Sequence, residues 1–267
     1  MPLQRKPRHL LRTINACLRN AGSYAATTCR PTMGATLGFA ATHVFINRQA
    51  VAILQTDGWT VQADFVKKYL LYLNAGVCRA DGGLGCMSHY YDPSTGRGLW
   101  GGTSAAVACD RFFNWAVRRW RLGDTNRALY LIGLASHLVQ DACVPQHVHG
   151  LVGRGHGSYE LWVQQERERF TVPGGGLYRG NVPSPAEWVI GNSRIAYDCL
   201  SLVSKPDNFA GYERATVELL GLAQRSTAGL WVYFLEKAGL PAHAAKRRLD
   251  AGWREGKDEQ ISVLCPA

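Results

Sequence analysis

Beyond residue 37, apolar residues recur every three to four positions through most of the chain, the spacing that places them on one face of a helix. Val44, Ile46, Val51 and Leu54 begin the pattern, with Thr42 as the candidate cap of a first helix. A second helix is expected over about 60–77. The pattern then stops: residues 79–102 are rich in glycine and hold Tyr90-Tyr91-Asp92-Pro93-Ser94-Thr95-Gly96, a run of turn formers that predicts a loop. A third helix follows over about 104–122, where Gly123 ends it and Asp124 caps the next. This fourth helix runs to about Ala142, short of Pro145, and is apolar nearly all round over 128–139, so it should lie at the centre of the fold. Further helices are expected near 156–170, 186–203 and 212–238, separated by Pro/Gly-rich connectors at 173–176 and 182–185. No strand-like alternation competes. The pattern predicts an all-α, single-domain multi-helix bundle.

Composition changes this picture mainly at the ends. Residues 1–37 carry Arg5, Lys6, Arg8, Arg12, Arg19 and Arg30 and no acid, and read as a basic leader or a mis-assigned start. The apolar run at 33–41 is short and broken by glycine. The last stretch, 241–267, is polar and basic and reads as a short tail, which leaves 38–240 as the folded domain. Hydrophobic residues at 46% and charged residues at 19% are globular proportions, and no run approaches the roughly 18 apolar residues of a membrane span. The net charge of +10 predicts attraction to polyanions, whether nucleic acid or an anionic lipid surface. Eight cysteines without a CxxC pair exclude a zinc ribbon and a thioredoxin motif. Cys78 and Cys86 could close a short loop as a disulfide, or the cysteines could be small buried apolar residues; both readings stand, and their number leans toward an oxidising compartment.

The histidines are clustered. His137 and Asp141 stand four apart on the fourth helix and so share a face; His147 follows just past Pro145, and His156 and Glu160 repeat the four-residue spacing. Imidazole nitrogen and carboxylate oxygen suit Zn²⁺, and helical proteins build metal sites from such pairs. Taken singly, each pair reads as an intrahelical hydrogen bond or a solvated face. Asp141, however, ends an almost wholly apolar helix, and a buried carboxylate is costly unless a cation compensates it. A metal would supply that charge.

The stretch Tyr130-Leu-Ile-Gly-Leu-Ala-Ser-His137-Leu-Val-Gln-Asp141-Ala-Cys-Val-Pro145-Gln-His147, followed by His156-Gly-Ser-Tyr-Glu160, resembles the central signature of the bacterial zinc-dependent phospholipases C. Thr42-His43-Val-Phe-Ile-Asn-Arg-Gln-Ala resembles that family's first-helix histidine motif, Arg79-Ala80-Asp81 its loop aspartate, and Ser88-His89-Tyr-Tyr-Asp-Pro its loop histidine. Pro185-Ala-Glu-Trp188 and Arg225-Ser-Thr-Ala-Gly229 extend the resemblance over about 38–239. It implies two or three zinc ions: one held by Asp81, His89, His137 and Asp141, a second by His147, His156 and Glu160, and a third by His43 with Asp141 bridging to the first. It implies hydrolysis of the glycerol-side phosphate ester of phospholipids by metal-activated water, with Asp81 orienting or deprotonating that water. The other residues act as ligands. Substrate would be met at a membrane surface, without a stable protein partner, by a secreted or periplasmic enzyme.

The chain departs from the family at three points. The family completes its third zinc site with an N-terminal tryptophan, whereas Gly38 and Phe39 precede His43 here. The aromatic residues of the family's choline pocket are replaced by Gly82 and Cys86, and the loops 81–89 and 147–156 are shorter. His149 is off the pattern and reads as a surface or supporting residue, while His9 and His243 fall in the leader and tail. Two other readings remain: a single-strand-specific zinc nuclease of the same fold, which the positive charge suits, and a non-catalytic helical module with structural zinc or none.

Overall fold

The computed structural model describes residues 33–80, 87–152, 156–180 and 182–240, with the side chains of 33–39 and 156 outside that description. Ten α-helices make up the described residues: α1 Met33–Thr56, α2 Thr60–Lys68, α3 Leu70–Ala80, α4 Ala105–Arg121, α5 Thr125–Asp141, α6 Pro145–Val148, α7 His156–Glu166, α8 Ala186–Tyr197, α9 Leu200–Val203 and α10 Phe209–Lys237. Short 3-10 turns occupy Leu99–Gly101 and Arg167–Phe170. Among the described residues the one β feature is an isolated bridge between Asp92 and Arg97. The fold is all-α. The described residues from Phe39 onward form one compact unit.

Local signals set most helix ends. Ser104 caps α4 by accepting from the Val107 amide, Asp124 caps α5 through the Arg127 amide, and Asn208 caps α10 through the Gly211 amide. Between α4 and α5, Gly123 takes φ +81°, a left-handed conformation that a residue without Cβ adopts freely. Four expectations need correction. Thr42 lies inside α1, which begins nine residues earlier, and so caps nothing. The second helix breaks at Tyr69 into α2 and α3. Those expected near 156–170 and 186–203 break as well, the first into a 3-10 turn and the second around Asp198 and Cys199.

Helix α5 is the hub, packing against α3, α4, α8 and α10. Residues 135–141 are all buried, the central position that the nearly all-round apolar surface over 128–139 predicts, although Ser136, His137, Gln140 and Asp141 among them are polar. Gly76 of α3 and Gly133 of α5 let two backbones meet: a Cβ on Gly76 would stand 2.7 Å from Gly133 Cα and would strike the Tyr130 carbonyl.

The core has two clusters. One gathers residues of α1 (Ala50, Val51, Ile53, Leu54), α3, α4, α5 and the C-terminal part of α10. The other gathers Phe45, Ile46, Cys143, Val148, Tyr159, Val163 and the N-terminal part of α10. Where α1, α5 and α10 pass from one cluster to the other, their buried residues turn polar: Asn47, Gln140 and Asp141, Gln224 and Thr227. A polar layer thus crosses the bundle between two apolar ones.

Candidate metal centre

The polar layer holds the histidines. His137 is fully buried on α5 and Asp141 is 2% exposed at its end. The chain then turns, and Pro145 at the start of α6 places His147 beside Asp141. His43 comes from α1, and His89 comes from the loop before α4, where Ala105 N–H bonds to Tyr90 O. Asp92 stiffens that loop by accepting from the Ser94 and Thr95 hydroxyls.

Three imidazole nitrogens converge on one oxygen. Asp141 Oδ2 lies 3.0 Å from His89 Nδ1, 3.1 Å from His137 Nε2 and 3.2 Å from His147 Nδ1. His137 Nε2 and His89 Nδ1 are 3.3 Å apart, which closes a triangle with that oxygen. Donors arranged tetrahedrally around zinc at about 2.0–2.1 Å stand about 3.3 Å from one another, so the triangle has the dimensions of one face of a zinc site. The other carboxylate oxygen, Oδ1, lies 3.5 Å from His43 Nε2. His43 also stacks on His137, with ring centroids 4.1 Å apart. Burial tends to raise the Asp141 pKa, yet the charges of His137 and His147 and their hydrogen bonds outweigh it and hold the carboxyl well below the usual range. Asp141 is therefore anionic, buried and ringed by donors, an arrangement suited to binding and bridging cations. His43, His137 and Asp141 each offer a ligand atom within 4.8 Å of the others.

The structure brings five of the eight expected site residues together: His43, His89, His137, Asp141 and His147. Glu160, on α7, stands at the edge of the cluster, with Oε1 3.8 Å from His147 Nε2. His156 opens the same helix one turn earlier, and its side chain lies outside the described residues, as does Asp81 altogether. The suggested Cys78–Cys86 pair also cannot be followed, since residue 86 is outside them. Cys109, Cys143 and Cys199 are buried thiols. In one respect the arrangement differs from the expected partition, because His147, assigned to a site separate from Asp141, touches the same oxygen as His89 and His137. His149 is a supporting residue: its Nε2 donates to Tyr197 O at 2.8 Å and its ring stacks on Tyr197 at 3.9 Å.

Sequence reasoning missed three groups. Tyr90 places its ring 5.2 Å from that of His147 and walls that side of the cluster. Gln140 and Thr227 are buried beneath His43, with Gln140 Oε1 2.7 Å from His43 Nδ1. For Gln140 the available signal was its polarity on a helix otherwise largely apolar. Next to the centre, an open cleft is lined by Tyr90, Arg97, Leu99, Trp100 and His149, among others.

The profile of the zinc dependent phospholipase C family matches residues 42–187, more than half of the chain, and the chain belongs to that family. A phospholipase C of Listeria monocytogenes is 26% identical over 144 residues, covering 48% of this chain and 50% of the relative, so this chain spans about half the length of the curated relative it matches. Among solved structures it is similar to the alpha toxin of Clostridium absonum, with a TM-score of 0.66 at 19% identity over 74% of this chain and 63% of that one. It also resembles the Clostridium perfringens alpha-toxin from an avian strain, with a TM-score of 0.64 at 17% identity over 74% and 64%. Those likenesses place it in the same all-helical fold.

Proposed function

We propose that this chain is a zinc-dependent phosphodiesterase that hydrolyses the glycerol-side phosphate ester of phospholipids. The observation that carries the reading is the triangle of His89, His137 and Asp141 with edges of 3.0–3.3 Å, buried in a chain of this family. Two or three ions fit the donor set. His89, His137 and Asp141, with Asp81, would hold one; His147, His156 and Glu160 a second; His43 and the outer oxygen of Asp141 a third. His147 also borders the first site, so the two lie close together. Zinc bound there would neutralise phosphoryl oxygens, make water nucleophilic near neutral pH and stabilise the leaving alkoxide.

The protein's own groups do the remaining work. Asp141 sets the spacing of the donors, since one carboxylate faces His43 with one oxygen and three other imidazoles with the second. Asp81 would orient the attacking water or take its proton, and Tyr90 screens one flank from solvent. Substrate would be met at a membrane surface. Trp100, Leu151 and Val152 are exposed on adjoining loops next to the centre, and the exposed Arg97 beside them can meet lipid phosphates. No described helix is long and apolar enough to cross a membrane, so docking would be peripheral. Secretion or periplasmic residence fits the basic, acid-free first 37 residues, and no stable protein partner is required.

The test is zinc analysis of the purified chain joined to hydrolysis assays on phosphatidylcholine vesicles, phosphatidylethanolamine vesicles and single-stranded DNA. Two or three zinc equivalents and release of diacylglycerol are expected. Cleavage of DNA with neither lipid hydrolysed would select the nuclease reading, and less than one zinc with no hydrolysis would leave a non-catalytic helical module.

A further inference from the structure

Gln140 is 2% exposed, directly precedes Asp141, and is bonded at both ends of its amide. A backbone carbonyl can only accept, so the Thr227 hydroxyl, 2.7 Å from Ala223 O, must donate its single proton there. Thr227 Oγ1 is therefore an acceptor toward Gln140, 3.1 Å away, and the amide NH2 must lie on that side. The same NH2 reaches Asn47 Oδ1 at 3.1 Å, and Asn47 in turn donates to Asn74 Oδ1 at 2.9 Å. Turning the amide over would set two acceptors against each other at Thr227. Gln140 Oε1 is thereby left facing His43 Nδ1 at 2.7 Å, and an acceptor at that position requires a proton on Nδ1.

We infer that Gln140 is a positioning residue that holds His43 as its Nδ1–H tautomer and presents the Nε2 lone pair to a cation shared with Asp141. The inference rests on the zinc reading above and deepens it. Nε2 of a neutral His43 so oriented faces Asp141 Oδ1, 3.5 Å away, as acceptor against acceptor. A shared cation turns that repulsion into two bonds. The chain of constraint runs through four helices, from α10 (Ala223, Thr227) through α5 (Gln140) to α1 (His43, Asn47) and α3 (Asn74). It also explains why the layer between the two apolar clusters is polar at these positions. Losing a group that orients a ligating histidine through its second nitrogen typically costs about 10- to 100-fold in metal affinity.

Two variants and one spectrum test it. Gln140→Leu removes the acceptor toward His43 and the donors toward Asn47 and Thr227, whereas Gln140→Glu keeps the acceptor and loses only the donors. Both should melt earlier than the wild type. Only Gln140→Leu should bind its weakest zinc about 10- to 100-fold less tightly in chelator competition, with Gln140→Glu within about threefold of wild type. Long-range ¹H–¹⁵N spectra of the zinc-loaded wild type, with His43 assigned by its loss in His43→Asn, should show Nδ1 protonated and Nε2 carrying the metal. The inference is overturned if Gln140→Leu holds zinc as the wild type does, if Gln140→Glu loses as much as Gln140→Leu, or if His43 is protonated at Nε2. Should Gln140→Leu fail to fold, the wild-type spectrum decides. A wild type that binds no zinc overturns the metal reading and this inference with it; zinc binding indifferent to both variants overturns this inference alone.

Discussion

Oδ2 of Asp141 stands 3.1 Å from Nε2 of His137, one turn earlier on the same buried helix. The same carboxylate meets His89, His147 and His43, so its charge is shared by four imidazoles from four parts of the chain. Asp141→Asn keeps the shape and removes the charge. It should lose at least one zinc and nearly all phosphodiesterase activity, because two proposed sites depend on it. Asp81→Asn should lose activity while retaining more metal, since its proposed role is partly to handle the attacking water. Bound zinc and turnover measured side by side check this, and full metal with near-normal turnover in Asp141→Asn would refute the assignment.

Asp57, just past the end of α1, anchors the connector between α7 and α8. It accepts from the Gly175 and Gly176 amides at 2.8–3.0 Å and from Tyr178 Oη at 2.6 Å. Desolvation tends to raise its pKa, but these hydrogen bonds and the Arg225 charge prevail and lower it. A carboxyl with a depressed folded pKa contributes stability that is fully present above its unfolded value of about 3.9 and is lost as pH falls through the lower folded value. Asp57→Ala should cost about 1–2 kcal/mol at pH 7 in urea titrations, a figure reduced for partial exposure. The gap from wild type should narrow as pH falls through the depressed folded pKa and close in stronger acid. A gap that persists in acid would show that packing, not charge, carries the anchor.

Much of this was legible in the sequence, and the exceptions have physical causes. The cap Asp124 and the centrality of α5 follow from local chemistry and a long apolar surface, signals contained within a single helix. The cluster of His137, Asp141 and His147 is local as well. The break at Tyr69 left no mark because the apolar spacing continues across it. Gln140 and Thr227 lie 87 positions apart and meet only through the crossing of α5 and α10. The contact of His147 with the oxygen shared by His89 and His137 depends on the turn after α5, whose angle no residue spacing specifies.

The crossing of α3 and α5 gives a stability prediction independent of the metal centre. A methyl group on Gly76 would press against Tyr130 O and the Gly133 backbone, where nothing flexible can yield. Gly76→Ala should therefore destabilise by about 1–3 kcal/mol despite the better helix propensity of alanine. Thermal melts decide it; a Tm equal to wild type or higher would mean that the helices separate at little cost.

Trp100 is 68% exposed and takes φ +52°, a left-handed conformation that costs a residue with a Cβ about 1 kcal/mol or more. An aromatic side chain held in water on a strained backbone gains nothing for the folded protein in solution. Its indole does stand beside Leu99 and Gly101 on the cleft next to Tyr90, with Leu151 and Val152 exposed on the loop that follows Gly150. Tryptophan is favoured at the lipid–water boundary, where its ring is buried and its N–H remains hydrated. Trp100→Gly relieves the backbone and removes the ring, so the melting temperature should hold or rise. Burying a large apolar side chain is worth about 1.5–3 kcal/mol, and hydrolysis of phospholipid vesicles should accordingly fall about tenfold or more. Hydrolysis of a short-chain phospholipid below its micellar concentration should fall less than about twofold, because that substrate reaches the centre without an interface. Equal losses on both substrates would place Trp100 in the substrate cleft, and no loss on vesicles would remove it from membrane docking.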